Sequence, residues 1–270
     1  MRKKFNWRKI LLWLVGFVIV THLLMFIALY FFQETLLFRP EILTENYTFN
    51  FKGDFDEVYI PVEKDVKLHG LLFKANKSKG LVFYLHGNGG SLKGWGSIAD
   101  TYIDAGYDLF LLDYRGYGKS GGHVESEEQL HSDIDKVYAH MLRGYDQKDV
   151  VIAGYSIGTG PATHLARRKN IKALILQAPY YSMSRLMGDK APVVPEFVKR
   201  YKINTFEFIK NVTAPVYMFH GTADELIDYS HSQSLIKCAK PTDVLIPIKG
   251  GGHNIKESDV LKREIKRILR

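Results

Sequence analysis

The sequence holds one cysteine, Cys238, in 270 residues. An intrachain disulfide is therefore excluded, and Cys238, which lies outside every motif described below, is expected to be a structural thiol. No group of His, Cys, Asp and Glu has metal-ligand spacing, so neither a metal nor a cofactor is expected. The glycine run Gly87–Gly90 lacks the spacing of either phosphate-binding glycine motif. There is no internal repeat and no low-complexity stretch. Charge is also missing where it counts: residues 10–32 contain no Asp, Glu, Lys or Arg. A buried core helix would show a polar face, and this run is long enough to cross a bilayer as a helix. A cleavable signal peptide is the alternative. Its apolar stretch is normally shorter and closes on small residues, whereas this one ends Ala28-Leu-Tyr-Phe-Phe-Gln-Glu.

The expected organisation is a basic flank over 1–9, a transmembrane anchor over 10–32, a linker over 33–54 and one domain over 55–270. Arg2, Lys3, Lys4, Arg8 and Lys9 crowd the first flank, which predicts a single-pass protein with a cytoplasmic N-terminus and its main domain extracytoplasmic. Trp7, Trp13 and Tyr30 mark interfaces without choosing a side, and His22 is read as a neutral helix residue. The net charge of +8 is concentrated in that flank and in Lys262, Arg263, Lys266, Arg267 and Arg270. Nucleic acid is therefore not an expected partner. Leu261, Ile265, Ile268 and Leu269 recur at helical spacing, so the C-terminus is expected to be a helix packed on the domain with its basic face in water.

A hydrophobic content of 46% is enough for a large core. Residues 56–62 and 66–73 alternate as a leading antiparallel hairpin does. The runs 108–113, 150–153 and 171–176 are short and apolar, suited to parallel strands buried on both faces, and they alternate with helix-like stretches such as 125–143. This is a doubly wound α/β pattern. Residues 179–213 break the rhythm and read as a small cap.

Val150-Val-Ile-Ala-Gly-Tyr-Ser156-Ile-Gly158 is an apolar run that stops abruptly before a helix-compatible stretch, the context a nucleophile elbow requires. A serine hydroxyl is a weak nucleophile, so chemistry needs a histidine to take its proton and an acid to orient that histidine. Asp224 follows the strand-like 214–220 in His220-Gly-Thr-Ala-Asp224, and His253 follows the strand-like 243–248 in Lys249-Gly-Gly-Gly-His253. The order Ser, Asp, His is the one such an elbow calls for. Asp228 is the nearby competitor of Asp224. Upstream, the strand pattern 80–86 runs into Gly87-Asn88-Gly89-Gly90, where the N–H of Asn88, with that of Ile157, is the candidate oxyanion donor.

His86-Gly-Asn-Gly-Gly, Asp113-Tyr-Arg-Gly-Tyr-Gly-Lys-Ser-Gly-Gly122, Gly154-Tyr-Ser-Ile-Gly158, His220-Gly-Thr-Ala-Asp224 and Gly251-Gly-His253 together resemble the Bem46 / ABHD13-like group of α/β-hydrolases. The resemblance implies an α/β-hydrolase fold, a mostly parallel sheet with a short cap insertion, and a triad of Ser156, Asp224 and His253. It implies the reaction class of a serine hydrolase and supplies no substrate; beside the apolar anchor and cap, cleavage of an ester or thioester of an acyl or lipid substrate at a membrane surface is the leading expectation. Peptide cleavage, or a non-catalytic scaffold that binds lipid or a partner, is the alternative. Tyr155, Tyr180, Tyr181 and Met183 are candidates for an apolar acyl pocket, although packing between cap helices would leave the same composition. His131, His140, His164 and His231 fall on helix-like segments and need no catalytic role. The sequence specifies no oligomeric state.

Overall fold

The computed structural model describes residues 6–270; Arg2, Lys3 and Lys4 of the basic flank lie outside the described residues. Helix α1 (Trp7–Phe31) is capped by the Asn6 side chain and has no buried residue. It is the one described helix long and apolar enough to cross a membrane. His22 Nδ1 turns back to the carbonyl of Val18 at 2.8 Å, which satisfies its polar atom within the helix. Helix α2 (Gln33–Leu37) follows at once.

Eight strands then form one sheet. The hairpin β1 (Phe55–Glu63) and β2 (Val66–Phe73) precedes β3 (Leu81–Leu85), the short helices α3 (Leu92–Trp95) and α4 (Ala99–Ile103), β4 (Asp108–Leu112) and helix α5 (Glu127–Met141). Next come β5 (Val150–Tyr155), α6 (Thr159–Ala166), β6 (Ala173–Gln177), α7 (Met183–Lys190), α8 (Thr205–Phe208), β7 (Val216–Gly221), α9 (Ser230–Leu235), β8 (Val244–Ile248) and α10 (Asp259–Ile268). The order across the sheet is β1-β2-β4-β3-β5-β6-β7-β8. β1 and β2 pair antiparallel, β2 meets β4 antiparallel, and every later pair is parallel. The central strands are apolar throughout because both faces are covered. Along β3 the side chains alternate: Leu81, Phe83 and Leu85 pack with Ile134, Tyr138 and Ala162 of α5 and α6, while Val82 and Tyr84 pack with Trp95, Tyr102 and Leu261 on the other face. Helix α10 buries Leu261 and Ile265, with Leu269 buried at its C-cap, and leaves its basic residues outward, as the helical spacing predicts.

The stretch 33–54 is not a free linker. Gln33 is only 1% exposed; its side-chain amide donates to Val198 O at 2.6 Å and accepts from Arg200 N at 3.0 Å. Arg39–Leu43 runs between two loops of the domain: Gly90 N donates to Arg39 O, Glu41 N to Gly90 O, Gly118 N to Glu41 O and Leu43 N to Gly118 O. Backbone groups that a solvated linker would leave to water are paired here with the domain.

His131 of α5 and His164 of α6 stack with ring centroids 3.6 Å apart, edge-on to Phe208. Burial, with nearby positive charge from Arg167, holds His131 at about 3 and His164 at about 4, against an ordinary 6.5. Between those values and 6.5 the unfolded chain binds more protons than the folded one, so stability rises with pH across that window and is lost on acidification. Thermal unfolding is therefore expected to shift down by about 5 °C between about pH 7 and pH 5, with His131→Phe visibly less pH-dependent than the parent. Parallel curves for the two proteins would contradict the assignment.

Candidate active site

The site forms at the carboxyl ends of β3, β5, β7 and β8, where open parallel sheets leave loops free to converge. Strand β5 ends at Tyr155 and a helical turn begins at Ser156, whose φ of 51° lies in the left-handed region. A non-glycine residue there carries strain of about 1–2 kcal/mol, and the surrounding chain must over-determine it. It does so by close approach: a Cβ on Gly158 would collide with the carbonyl of Leu85 at the end of β3, and one on Gly154 would sit 2.6 Å from Gly158 O. Beneath the turn, the Tyr180 hydroxyl donates to Ile157 O at 3.1 Å.

Ser156 Oγ donates to His253 Nε2 at 3.0 Å, and His253 Nδ1 donates to Asp224 Oδ2 at 2.7 Å. The three side chains come from loops 97 and 29 residues apart in sequence and meet in one line. The other oxygen, Asp224 Oδ1, accepts the N–H groups of Leu226 and Ile227, both at 2.9 Å. Burial acts to raise the Asp224 pKa, but hydrogen bonds from His220, His253 and the Ile227 N–H outweigh it and hold the carboxyl well below its ordinary value. Asp228 is engaged elsewhere, since its Oδ1 caps Ser230 N at 2.9 Å.

His220 was not singled out by sequence reasoning, although its position four residues before Asp224 was the available signal. It is fully buried at the end of β7. Its Nε2 faces two acceptors, Asp224 Oδ2 at 3.2 Å and Ile227 O at 2.9 Å, so that nitrogen carries the proton; Nδ1 accepts from the Ser232 hydroxyl at 2.6 Å. Asp224 thus lies between two imidazoles and cannot swing away from His253 without breaking the second contact.

The loop after β3 carries Asn88. Its side-chain oxygen accepts from Arg39 N at 2.9 Å and from the Tyr117 hydroxyl at 3.2 Å. Gly89 and Gly90 follow with φ of 83° and 78°, a pair of left-handed residues that accounts for glycine at 90. Asp113, fully buried below this loop, accepts Leu92 N at 3.2 Å and lies 3.4 Å from His86 Nε2 and 3.6 Å from His69 Nδ1. Among the described residues, the N–H groups of Asn88 and Ile157 donate to no backbone acceptor outside regular elements.

The aromatic residues expected to line a pocket have other places. Tyr155 is buried, donates its hydroxyl to His253 O at 2.5 Å, and packs its ring 5.3 Å from Trp95. It buttresses the histidine loop. Tyr180 and Met183 belong to the packed core, where their side chains have no open face. Tyr181 is half-buried and stacks on Phe206 with centroids 4.6 Å apart. The apolar composition of this stretch thus comes chiefly from packing under the cap.

A family model described as serine aminopeptidase, S33, matches residues 76–209, a span that includes Asn88 and Ser156 and stops before Asp224. Among curated relatives, alpha/beta hydrolase domain-containing protein 17B of Xenopus laevis is 35% identical over 187 residues, covering 66% of this chain and 61% of the relative. The Homo sapiens protein of that name is 34% identical over the same length. The chain therefore spans about three-fifths of the length of these relatives. Of solved structures, an esterase from Pyrococcus furiosus superposes with a TM-score of 0.68 at 20% identity, covering 86% of this chain and 97% of the esterase. Est1E of Butyrivibrio proteoclasticus, solved with ferulic acid bound, gives 0.65 at 22% identity, covering 78% of this chain and 97% of that chain. The chain has the α/β-hydrolase fold. In sequence it is similar to α/β-hydrolase domain-containing proteins; these relatives carry the number 17, so the narrower Bem46 / ABHD13-like placement stays a resemblance.

Proposed function

We propose that this protein is a membrane-anchored serine hydrolase that cleaves carboxylic ester or thioester bonds of acyl or lipid substrates. The observation that carries the reading is the continuous hydrogen-bonded line from Ser156 through His253 to Asp224. In this reading His253 Nε2 takes the Ser156 proton as Oγ attacks the substrate carbonyl, and Asp224 stabilises the imidazolium that forms. The N–H groups of Ile157 and Asn88 receive the oxyanion. His253 then protonates the departing alcohol or thiol, leaving an acyl group on Ser156. Water, deprotonated by the same histidine, releases the acid and restores the serine.

The esterase among the solved neighbours favours an ester substrate. The description of the family model favours aminopeptidase action as a second reading. In this reading helix α1 is the anchor, and the basic flank before it supports a cytoplasmic N-terminus with the hydrolase domain outside. A panel of p-nitrophenyl esters, acyl thioesters and aminoacyl amides separates the two chemistries. The expected result is turnover of the first two with little on the amides. Amide cleavage outrunning ester cleavage would favour the peptidase.

A further inference from the structure

Among the described residues outside α1 and its end, few large apolar side chains are strongly exposed, and they are not scattered. Phe197 is 79% exposed, Ile42 79% and Val193 69%, followed by Leu36 and Leu226. Each lies on a segment bordering the anchor or the triad. Val193 and Phe197 stand on the cap loop Pro192-Val-Val-Pro-Glu-Phe197. Leu226 is two residues from Asp224 and donates its N–H to that carboxylate. Ile42 bridges to Gly118, two residues beyond the bridge of Pro40 to Gly90 in the Asn88 loop. The remaining large apolar side chains exposed among the described residues outside α1 and its end, Tyr59 and Val244, sit on the two edge strands of the sheet.

The cap loop is also fixed at the level of the anchor's end. Val198 O, one residue after Phe197, receives the Gln33 amide, and Gln33 lies two residues past the end of α1. Arg200 pairs with Glu34 at 2.6 Å, donates to Tyr30 O at 3.4 Å and covers the Tyr30 ring. The Tyr201 hydroxyl donates to Glu34 at 3.1 Å. A flexible tether would let the domain tumble above the bilayer, whereas this joint sets one orientation.

We propose that the exposed rim, led by Val193 and Phe197, inserts into the lipid bilayer that α1 spans, so that the triad's mouth rests on the membrane and acyl chains enter from the hydrocarbon side. The proposal rests on the reading of α1 as an anchor and of Ser156 as nucleophile. Lipid is the occupant because the patch continues from a helix with no buried residue, and because the loop presents apolar groups at the height where that helix leaves the membrane.

The test uses the full chain reconstituted in phosphatidylcholine vesicles, with Cys238→Ser as background and a nitroxide label on Phe197→Cys or, as control, on Val244→Cys. The label at 197 is expected to collide more with lipid-soluble oxygen than with a water-soluble nickel chelate, and the label at 244 the reverse. A label at 197 as water-accessible as that at 244 would overturn the proposal. So would one shielded from both reagents, since protein rather than lipid would then cover the loop. In parallel, Val193→Ser/Phe197→Ser should cut turnover of a long-chain ester in the vesicles by about tenfold while leaving a short soluble ester unaffected; an equal rate on both would count against it. A parent protein inactive on both esters would refute the hydrolase reading, and the depth measurement would still decide the docking.

Discussion

Ser156→Ala is expected to lose ester hydrolysis by roughly ten-thousandfold or more, because removing any member of such a triad leaves only what binding and the oxyanion donors provide. The fold should survive. Ser156 donates one side-chain hydrogen bond, to His253, and an alanine keeps the Cβ that the turn already accommodates. Near-parental thermal unfolding together with the loss of turnover is the expected pair of results. A variant that retains most of its rate would end the assignment of Ser156 as nucleophile.

Asp224→Asn should cost nearly as much, roughly a thousand- to ten-thousandfold, for a reason specific to proton placement. The carboxylate accepts from His253 Nδ1 at 2.7 Å, which leaves Nε2 bare to receive the Ser156 proton. An asparagine amide can donate to Nδ1 instead, moving the ring proton to Nε2 and leaving no base facing the serine. The low pKa of Asp224 also means that its protonation does not set the acid limb of activity near neutrality. Asp228→Asn is the control: its carboxylate caps Ser230 N and touches neither His253 nor Ser156, so activity should remain close to parental. An inactive Asp228→Asn beside an active Asp224→Asn would reverse the roles.

The parts legible in the sequence were those whose cause is local. The central strands read as apolar runs because both faces are covered, α10 read as a helix because Leu261, Ile265 and Leu269 repeat every four residues, and the elbow read as a strand that stops on small residues. The meeting of Ser156, His253 and Asp224 was legible only through their order along the chain. What was not legible depends on distant contacts. Gln33 reaches partners 165 and 167 residues away, and Arg39 reaches Asn88 and Tyr117, so nothing in the composition of 33–43 separates a clamp from a linker. Tyr180 and Met183 show the opposite ambiguity, since an aromatic and methionine-rich stretch looks the same whether it lines a cleft or fills a core. His220 was visible within His-Gly-Thr-Ala-Asp, but its grip on Asp224 depends on a turn whose geometry the letters do not specify.

Reaction with a fluorophosphonate, followed by peptide mapping of the phosphonylated residue, tests the central claim most directly, because only a serine activated by its base attacks such a phosphorus centre rapidly. The account predicts one adduct per chain, on Ser156, absent in Ser156→Ala and strongly slowed in His253→Ala. Rapid labelling of a different residue, or no labelling of a folded chain, would contradict it.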